Sequence, residues 1–128
     1  MNRTTVRLAC IVALVALVAL AAPATAGGRD VIREGPCSGA ADWKLKLSPE
    51  NGRIEVEYEV DSNVNGQSWR VRLFKNGDRI FRGTRQTHGP SGSFELRVVT
   101  SDPTGADVFR ARAVNPASGQ TCAGSATF

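Results

Sequence analysis

Few residues of this chain have the types and spacing that catalysis requires. The only histidine, His88, lies in the turn-forming stretch 87–91, where a solvated loop histidine is the ordinary interpretation. Three glutamates alternate with apolar residues between positions 55 and 59, which places them on the open face of a strand rather than in a cleft. We therefore expect no catalytic residue and no enzyme activity.

The sequence also lacks the patterns of metal and nucleotide sites. A structural zinc site needs about four nitrogen or sulfur ligands, and this chain has one histidine and no CxxC pair. A phosphate-binding loop needs a glycine-rich segment that follows a strand and opens a helix, and no such segment occurs. We expect no metal ligand and no cofactor.

Residues 1–26 have the pattern of a secretion signal. Two arginines precede an unbroken apolar run over residues 8–22, a proline ends the run, and Ala-Thr-Ala follows at 24–26. These are the charged start, apolar segment and small-residue cleavage site of a signal peptide. We expect cleavage between Ala26 and Gly27, which leaves no transmembrane segment. The alternative is a retained anchor, since the apolar stretch nearly reaches the roughly 20 residues that a bilayer crossing needs.

The cysteines predict one disulfide. Cys10 would leave with the signal peptide, so Cys37 and Cys122 remain in the mature chain. Two cysteines permit a single intramolecular pair, which persists in an oxidising compartment. On the chain-entropy model, closing a loop of this size stabilises the fold by about 4–5 kcal/mol.

From residue 37 onward, apolar and polar residues alternate, with turn signals at roughly eight- to twelve-residue spacing. This alternation predicts antiparallel strands with one buried side. The Asn-Gly pairs at 65–66 and 76–77 suit tight turns, because both residue types tolerate positive φ. No segment of the mature chain has a helical period. We predict an all-β domain of seven antiparallel strands at 37–128, after a flexible lead-in at 27–36.

The apolar member of each alternating pair defines a predicted core. The other members are mainly charged, which is the arrangement that two sheets packed face to face require. The predicted core residues are Trp43, Leu45, Leu47, Ile54, Val56, Tyr58, Val60, Trp69, Val71, Leu73, Phe94, Leu96, Val98, Phe109, Ala111 and Ala113.

Two segments resemble immunoglobulin-like and fibronectin type III domains. Residues 105–115, followed by Gly119, resemble the penultimate strand of these domains, and residues 73–77 resemble the third strand and hairpin of intermediate-set immunoglobulin domains. Phe109 stands where the family usually has the tyrosine of the tyrosine corner, and Ala111 stands where an immunoglobulin cysteine would be. The resemblance implies a seven-stranded β-sandwich, and it implies no function.

The arginines form the one pattern that suggests binding. If the third and sixth strands are neighbours, as the resemblance implies, two arginines on each lie side by side and outward. The two-residue hairpin loop would bring Arg72 opposite Phe81 and Phe74 opposite Arg79, pairs that suit cation–π contacts. Arg82 and Arg85 would lie near the same side. The predicted binding face comprises Arg70, Arg72, Phe74, Arg79, Phe81, Arg110 and Arg112.

The net charge does not by itself indicate a partner. Sixteen Lys and Arg and twelve Asp and Glu give a net charge of +4. Two of those arginines belong to the signal peptide, so the mature domain is near +2, too little to imply specific nucleic-acid binding.

We expect a monomeric, non-enzymatic secreted binding module whose arginines engage an anionic envelope component or partner protein through bidentate contacts. The plainer interpretation is a solvated sheet surface in an arginine-rich chain. A different class of function is an envelope structural protein or a secreted inhibitor that acts through its loops, with residues 84–93 as the best loop candidate.

Overall fold

The computed structural model describes residues 28–128. The predicted signal peptide, with Ala26, Gly27 and Cys10, lies outside the described residues. Within the described part, no helix has the length and apolar character needed to span a membrane. The strands in this part are β1 (Val31–Pro36), β2 (Asp42–Glu50), β3 (Arg53–Asp61), β4 (Ser68–Lys75), β5 (Asp78–Gln86), β6 (Ser93–Ser101), β7 (Val108–Val114) and β8 (Thr121–Thr127).

These strands form two four-stranded antiparallel sheets. The first sheet has the order β1-β2-β3-β6, and the second sheet has the order β5-β4-β7-β8. The inward sides of both sheets contribute to one hydrophobic core. The prediction of an all-β domain is confirmed, whereas the predicted count of seven strands is wrong, since residues 28–128 form eight.

The additional strand is β1, which lies in the segment predicted to be a flexible lead-in. It pairs with β2 from Val31 opposite Leu47 to Pro36 opposite Asp42. An edge strand bonds to a neighbour on one side only, and in β1 only Val31 and Gly35 are half-buried. A strand with so few buried positions has almost no two-residue periodicity, which explains why the sequence did not reveal it.

The alternation correctly identifies the core. Fourteen of the sixteen predicted core residues belong to the buried core cluster, and the other two, Trp43 and Val98, are half-buried and pack against it. The indole ring of Trp43 on β2 lies against Gly124 of β8, where an added Cβ would collide with the ring. Glycine at this position therefore lets the two sheets approach closely.

The predicted disulfide between Cys37 and Cys122 is present. It joins the β1–β2 connection to β8, with the two Cα atoms 4.3 Å apart and a sequence separation of 85. Beside it, the buried hydroxyl of Tyr58 on β3 donates a 2.9 Å hydrogen bond to the Cys122 carbonyl. Burial raises the pKa of Tyr58, because a phenolate is poorly solvated in the core. The edge strand β8 is thus fixed to the first sheet by a covalent bond and a hydrogen bond.

A buried ion pair organises the other end of the second sheet. Lys75 Nζ lies 3.3 Å from Asp107 Oδ2 and also donates to the Ser101 carbonyl. Asn76 donates to the other oxygen of Asp107 at 2.7 Å and accepts from the backbone N–H of Val108 at 2.8 Å. Both charged residues are buried, and a buried charge is tolerated when it is paired and hydrogen-bonded. This cluster fixes the β4–β5 turn against the start of β7.

Candidate functional site

The outer side of the second sheet presents a group of arginines. In the strand register, Arg72 on β4 is directly opposite Arg82 on β5 and Arg112 on β7. Neighbouring strands are about 4.8 Å apart, so these three side chains, which we call the arginine row, cross the sheet in a line. The exposed arginines on this side, which we call the arginine face, are Arg70, Arg72, Arg79, Arg82, Arg110 and Arg112.

Uncharged residues lie beside the arginine row as well as the other arginines of the face. Two residues along β4 from the row, Phe74 is half-buried between Arg79 and Arg110 in the register. On β8, Ala123 is opposite Arg112 and Ser125 is opposite Arg110. The arginines therefore occupy three strands of the second sheet, and β8 extends beside them without charge.

Phe81 lies apart from the arginine face. The pairing of β4 with β5 shifts between Leu73 and Phe74, so Phe81 lies opposite Leu73 and Arg72 lies opposite Arg82. Phe81 is half-buried and packs against the core, and the guanidinium carbon of Arg85 lies 4.8 Å from the centroid of its ring. The expected pairing of Arg72 with Phe81 does not form, and Arg82 takes that place. Phe74 does lie opposite Arg79.

The arginine face has no internal charge compensation. Within residues 28–128, none of its six arginines forms an ion pair or a side-chain hydrogen bond with the protein. The outward positions of β4, β5, β7 and β8 hold no carboxylate, although Asp78, opposite the inward Lys75, is exposed at the start of β5. Like charges directly opposite each other across strands are destabilising. The arginine row is therefore an arrangement that folding alone does not favour.

The outer side of the first sheet has the opposite character. Lys44 Nζ lies 2.8 Å from Glu59 Oε2, Lys46 Nζ lies 3.2 Å from Glu57 Oε2, and the third glutamate of β3 is paired across strands as well. The hydrogen bond to Glu59 raises the pKa of Lys44, and the hydrogen bond to Glu57 raises that of Lys46. We call this set the paired face: Lys44, Lys46, Glu55, Glu57, Glu59 and Arg97.

Depressions are present on both outer sides. On the arginine face, one of 350 Å³ is lined by arginines together with Phe74 and Val114. Another of 660 Å³ lies between Arg110, Arg112 and the small residues of β8. On the first sheet, a depression of 450 Å³ beside Trp43 is lined by Lys44 and four carboxylates, and one of these, Glu59, is already paired with the lysine.

The loop candidate at 84–93 is shorter in the structure, since residues 84–86 belong to β5 and Ser93 begins β6. Thr87 is buried, donates to the Val64 carbonyl at 2.6 Å and accepts from the Gln67 N–H at 2.9 Å. The loop is therefore fastened to the β3–β4 connection. His88 is exposed.

Metal-ligating residues are not grouped in the described part of the chain, where no three or more His, Cys, Asp or Glu side chains lie together in a way that could hold an ion. Comparisons with protein-family models, with curated proteins and with solved structures find no match for this chain.

Proposed function

We propose that the mature chain is a non-enzymatic secreted binding module of bacterial type, and that the arginine face engages an anionic component of the cell envelope or an anionic partner protein. One observation supports this most directly. Six exposed arginines share a sheet face with no carboxylate, and three of them are directly opposite one another. An anionic ligand would relieve that repulsion and occupy the free donors.

Two features support export. The leader pattern of residues 1–26 is that of a signal peptide, and we propose cleavage between Ala26 and Gly27. The disulfide between Cys37 and Cys122 is of a kind that persists outside the cytoplasm.

We also propose that the two sheets form an immunoglobulin-like sandwich. The chain changes sheets after β3, after β5 and after β6, which agrees with the Greek-key connections of that architecture. This fold is compatible with many functions, so the functional proposal depends on the arginine face alone.

Electrostatics gives the expected size of the effect. Each Lys or Arg held near an anionic surface contributes about 1 kcal/mol to binding at physiological salt. Removal of the three arginines of the arginine row should therefore weaken binding by about 3 kcal/mol, or roughly 100-fold.

The test compares two variants with the same change in net charge. In the first, the three arginines of the arginine row are replaced by serine. In the matched control, three exposed arginines outside the second sheet, Arg29, Arg33 and Arg53, are replaced by serine. Sedimentation of the purified chain with cell envelopes should be lost in the first variant and retained in the control.

The proposal would be refuted if the row variant and the control variant both sedimented with cell envelopes as well as the wild type does. If the row variant kept full binding while exchange of the 87–92 loop abolished it, the loop-based class of function would be favoured instead.

A further inference from the structure

The arginine row restricts the class of ligand that could occupy it. Arg82, Arg72 and Arg112 lie on three adjacent strands in one register, so the row spans about 10 Å between its outer strands. Each guanidinium has five N–H donors in one plane, and within residues 28–128 the protein uses none of those in the row. A ligand that satisfies the row must offer several oxyanions at short intervals.

Tetrahedral oxyanions suit such a row better than carboxylates do. A carboxylate offers two oxygens in one plane, which match the fork of a single guanidinium. A phosphate or sulfate group offers oxygens in more than one plane, so a single group can accept hydrogen bonds from two neighbouring guanidiniums. Adjacent strands in the row are separated by about 4.8 Å, a gap that one such group can bridge.

The surface that continues the row has space for a polymer backbone. Beyond Arg112, the next positions belong to β8, where Ala123 and Ser125 lie opposite Arg112 and Arg110. A depression of 660 Å³ lies over these small residues. The Ser125 hydroxyl can donate to a further ligand oxygen. A polymer that follows the row therefore continues over an uncharged surface of small residues.

The same face lacks the apolar contacts of a membrane-docking surface. Such surfaces combine basic residues with apolar side chains that enter the acyl region. Phe74 and Val114 lie among the arginines but are half-buried, and the exposed Val108 lies at the start of β7, away from the row. These features favour a soluble polyanion over a lipid bilayer.

We propose that the arginine row binds a linear polymer of phosphate or sulfate groups that crosses β5, β4 and β7 and continues over β8. The inference rests on the proposed binding role of the arginine face and adds the chemical class of the ligand. The repeating anions bond to the guanidiniums of Arg82, Arg72 and Arg112 in turn.

The experiment measures binding of the purified, disulfide-bonded chain to four probes at equal anion concentration: inorganic polyphosphate, dextran sulfate, poly-L-glutamate and phosphatidylglycerol vesicles. Polyphosphate or dextran sulfate should bind at least about tenfold more tightly than polyglutamate, since one phosphate or sulfate group can bridge two neighbouring guanidiniums whereas a carboxylate matches the fork of only one. Whichever of polyphosphate and dextran sulfate binds more tightly identifies the anionic group of the ligand. Equal binding of polyglutamate, or tighter binding of the vesicles, would overturn the inference.

Two further measurements separate geometry from charge. Changing the three arginines of the row to lysine keeps the charge but removes the fork, and it should weaken polymer binding about tenfold, whereas the same change at Arg29, Arg33 and Arg53 should leave it unaltered. Changing the three arginines of the row to serine should make the fall of log binding constant with log salt concentration less steep, by about 2–3 in slope. Tripolyphosphate that bound as tightly as the long polymer would contradict a polymer ligand.

Failure of this inference and failure of the proposed function give different results. If envelope sedimentation depends on the arginine row but neither phosphate nor sulfate polymer binds, the binding role stands and the ligand class is wrong. If sedimentation does not depend on the row, both are wrong.

Discussion

The outer sides of the two sheets differ in how their charged side chains are arranged across neighbouring strands. On the paired face, each glutamate of β3 has a cation within reach, as in the 2.8 Å pair of Lys44 with Glu59. On the arginine face, the corresponding cross-strand neighbours of Arg72 are two more arginines. Both faces consist of outward strand positions that alternate with core residues, although the paired face is mostly half-buried and the arginines are exposed. Strand alternation alone therefore does not account for the difference.

The comparison distinguishes a charge arrangement that stabilises the fold from one that destabilises it. Opposite charges across strands contribute roughly 0.2–1 kcal/mol each, and like charges directly opposite are destabilising. The paired face is therefore explained by the stability of the first sheet. The arginine face opposes stability, and the anionic ligand proposed above would account for its presence. The modest net charge of the chain does not reveal the arginine face, because the carboxylates that balance the arginines are mostly on the other sheet.

The largest predicted effect tests the same contrast within one strand. Within residues 28–128, β4 points Arg70 and Arg72 outward without an ion-pair partner, and it points Lys75 inward against Asp107 at 3.3 Å. Replacement of Asp107 by Ala should lower the free energy of unfolding by about 3–5 kcal/mol, because Lys75 would remain buried and unpaired. Chemical denaturation followed by circular dichroism measures the change.

A second variant controls for general damage at this end of the sheet. Adding Lys75→Met to the Asp107→Ala chain removes the unpaired charge, and it should recover part of the lost stability. A loss below about 1 kcal/mol for Asp107→Ala would show that the pair is no more important than an exposed one.

The next effect uses pH to separate the two faces. The folded-state pKa of Lys44 and of Lys46 is raised by the hydrogen bonds to Glu59 and Glu57, and that of Tyr58 is raised by burial. A group with a raised folded pKa contributes stability below its unfolded pKa, and this contribution is lost as the pH rises through the folded pKa. The free energy of unfolding should therefore fall above about pH 10.

Polyphosphate binding by the folded chain should be unchanged up to about pH 11, within the interval in which stability falls, since a guanidinium is in general too strong a base to lose its proton there. Urea titrations at each pH would report stability separately. Tyr58→Phe should cost about 1 kcal/mol at neutral pH by removing the hydrogen bond to Cys122. It should also reduce the alkaline decline, and an unchanged decline would assign it to the lysines alone.

The sequence predicts the core well and the edges of the sheets less well. On β3, Val56, Tyr58 and Val60 alternate strictly with glutamates, and all three are fully buried, because a half-buried strand imposes a period of two. β1 is an edge strand with few buried side chains, so it has no such period to detect.

The position of Phe81 shows a second limit. An extra residue in one strand reverses the side toward which the later residues point. The irregularity between Leu73 and Phe74 therefore turns Phe81 inward and places Arg82 beside Arg72. No residue type in the hairpin identifies this bulge in advance. The alternation on β4 and β7 did place four of the arginines on one side, whereas the completed row required the observed register.

The smallest predicted effect is a change in the free energy of unfolding that has opposite signs when one cation is removed from each face. Arg72→Thr removes a charge that faces Arg82 and Arg112, and threonine suits an exposed strand position, so the free energy of unfolding should rise by a few tenths of a kcal/mol. Lys44→Thr makes the same kind of change on the paired face, but it removes the partner of Glu59 and should lower stability by a similar amount. Equilibrium urea unfolding of both variants, with replicate titrations, resolves a difference of this sign.

Salt distinguishes repulsion from other causes. At about 1 M salt the Debye length falls to roughly 3 Å, so the gain from Arg72→Thr should largely disappear if it comes from relief of charge repulsion. A gain that persisted at high salt would instead reflect the strand propensity of threonine. If Arg72→Thr destabilised the chain as much as Lys44→Thr does, the aliphatic stem of Arg72 would be contributing packing to the sheet. The arginine row would then have a structural explanation, and the argument for an anionic ligand would lose its main support.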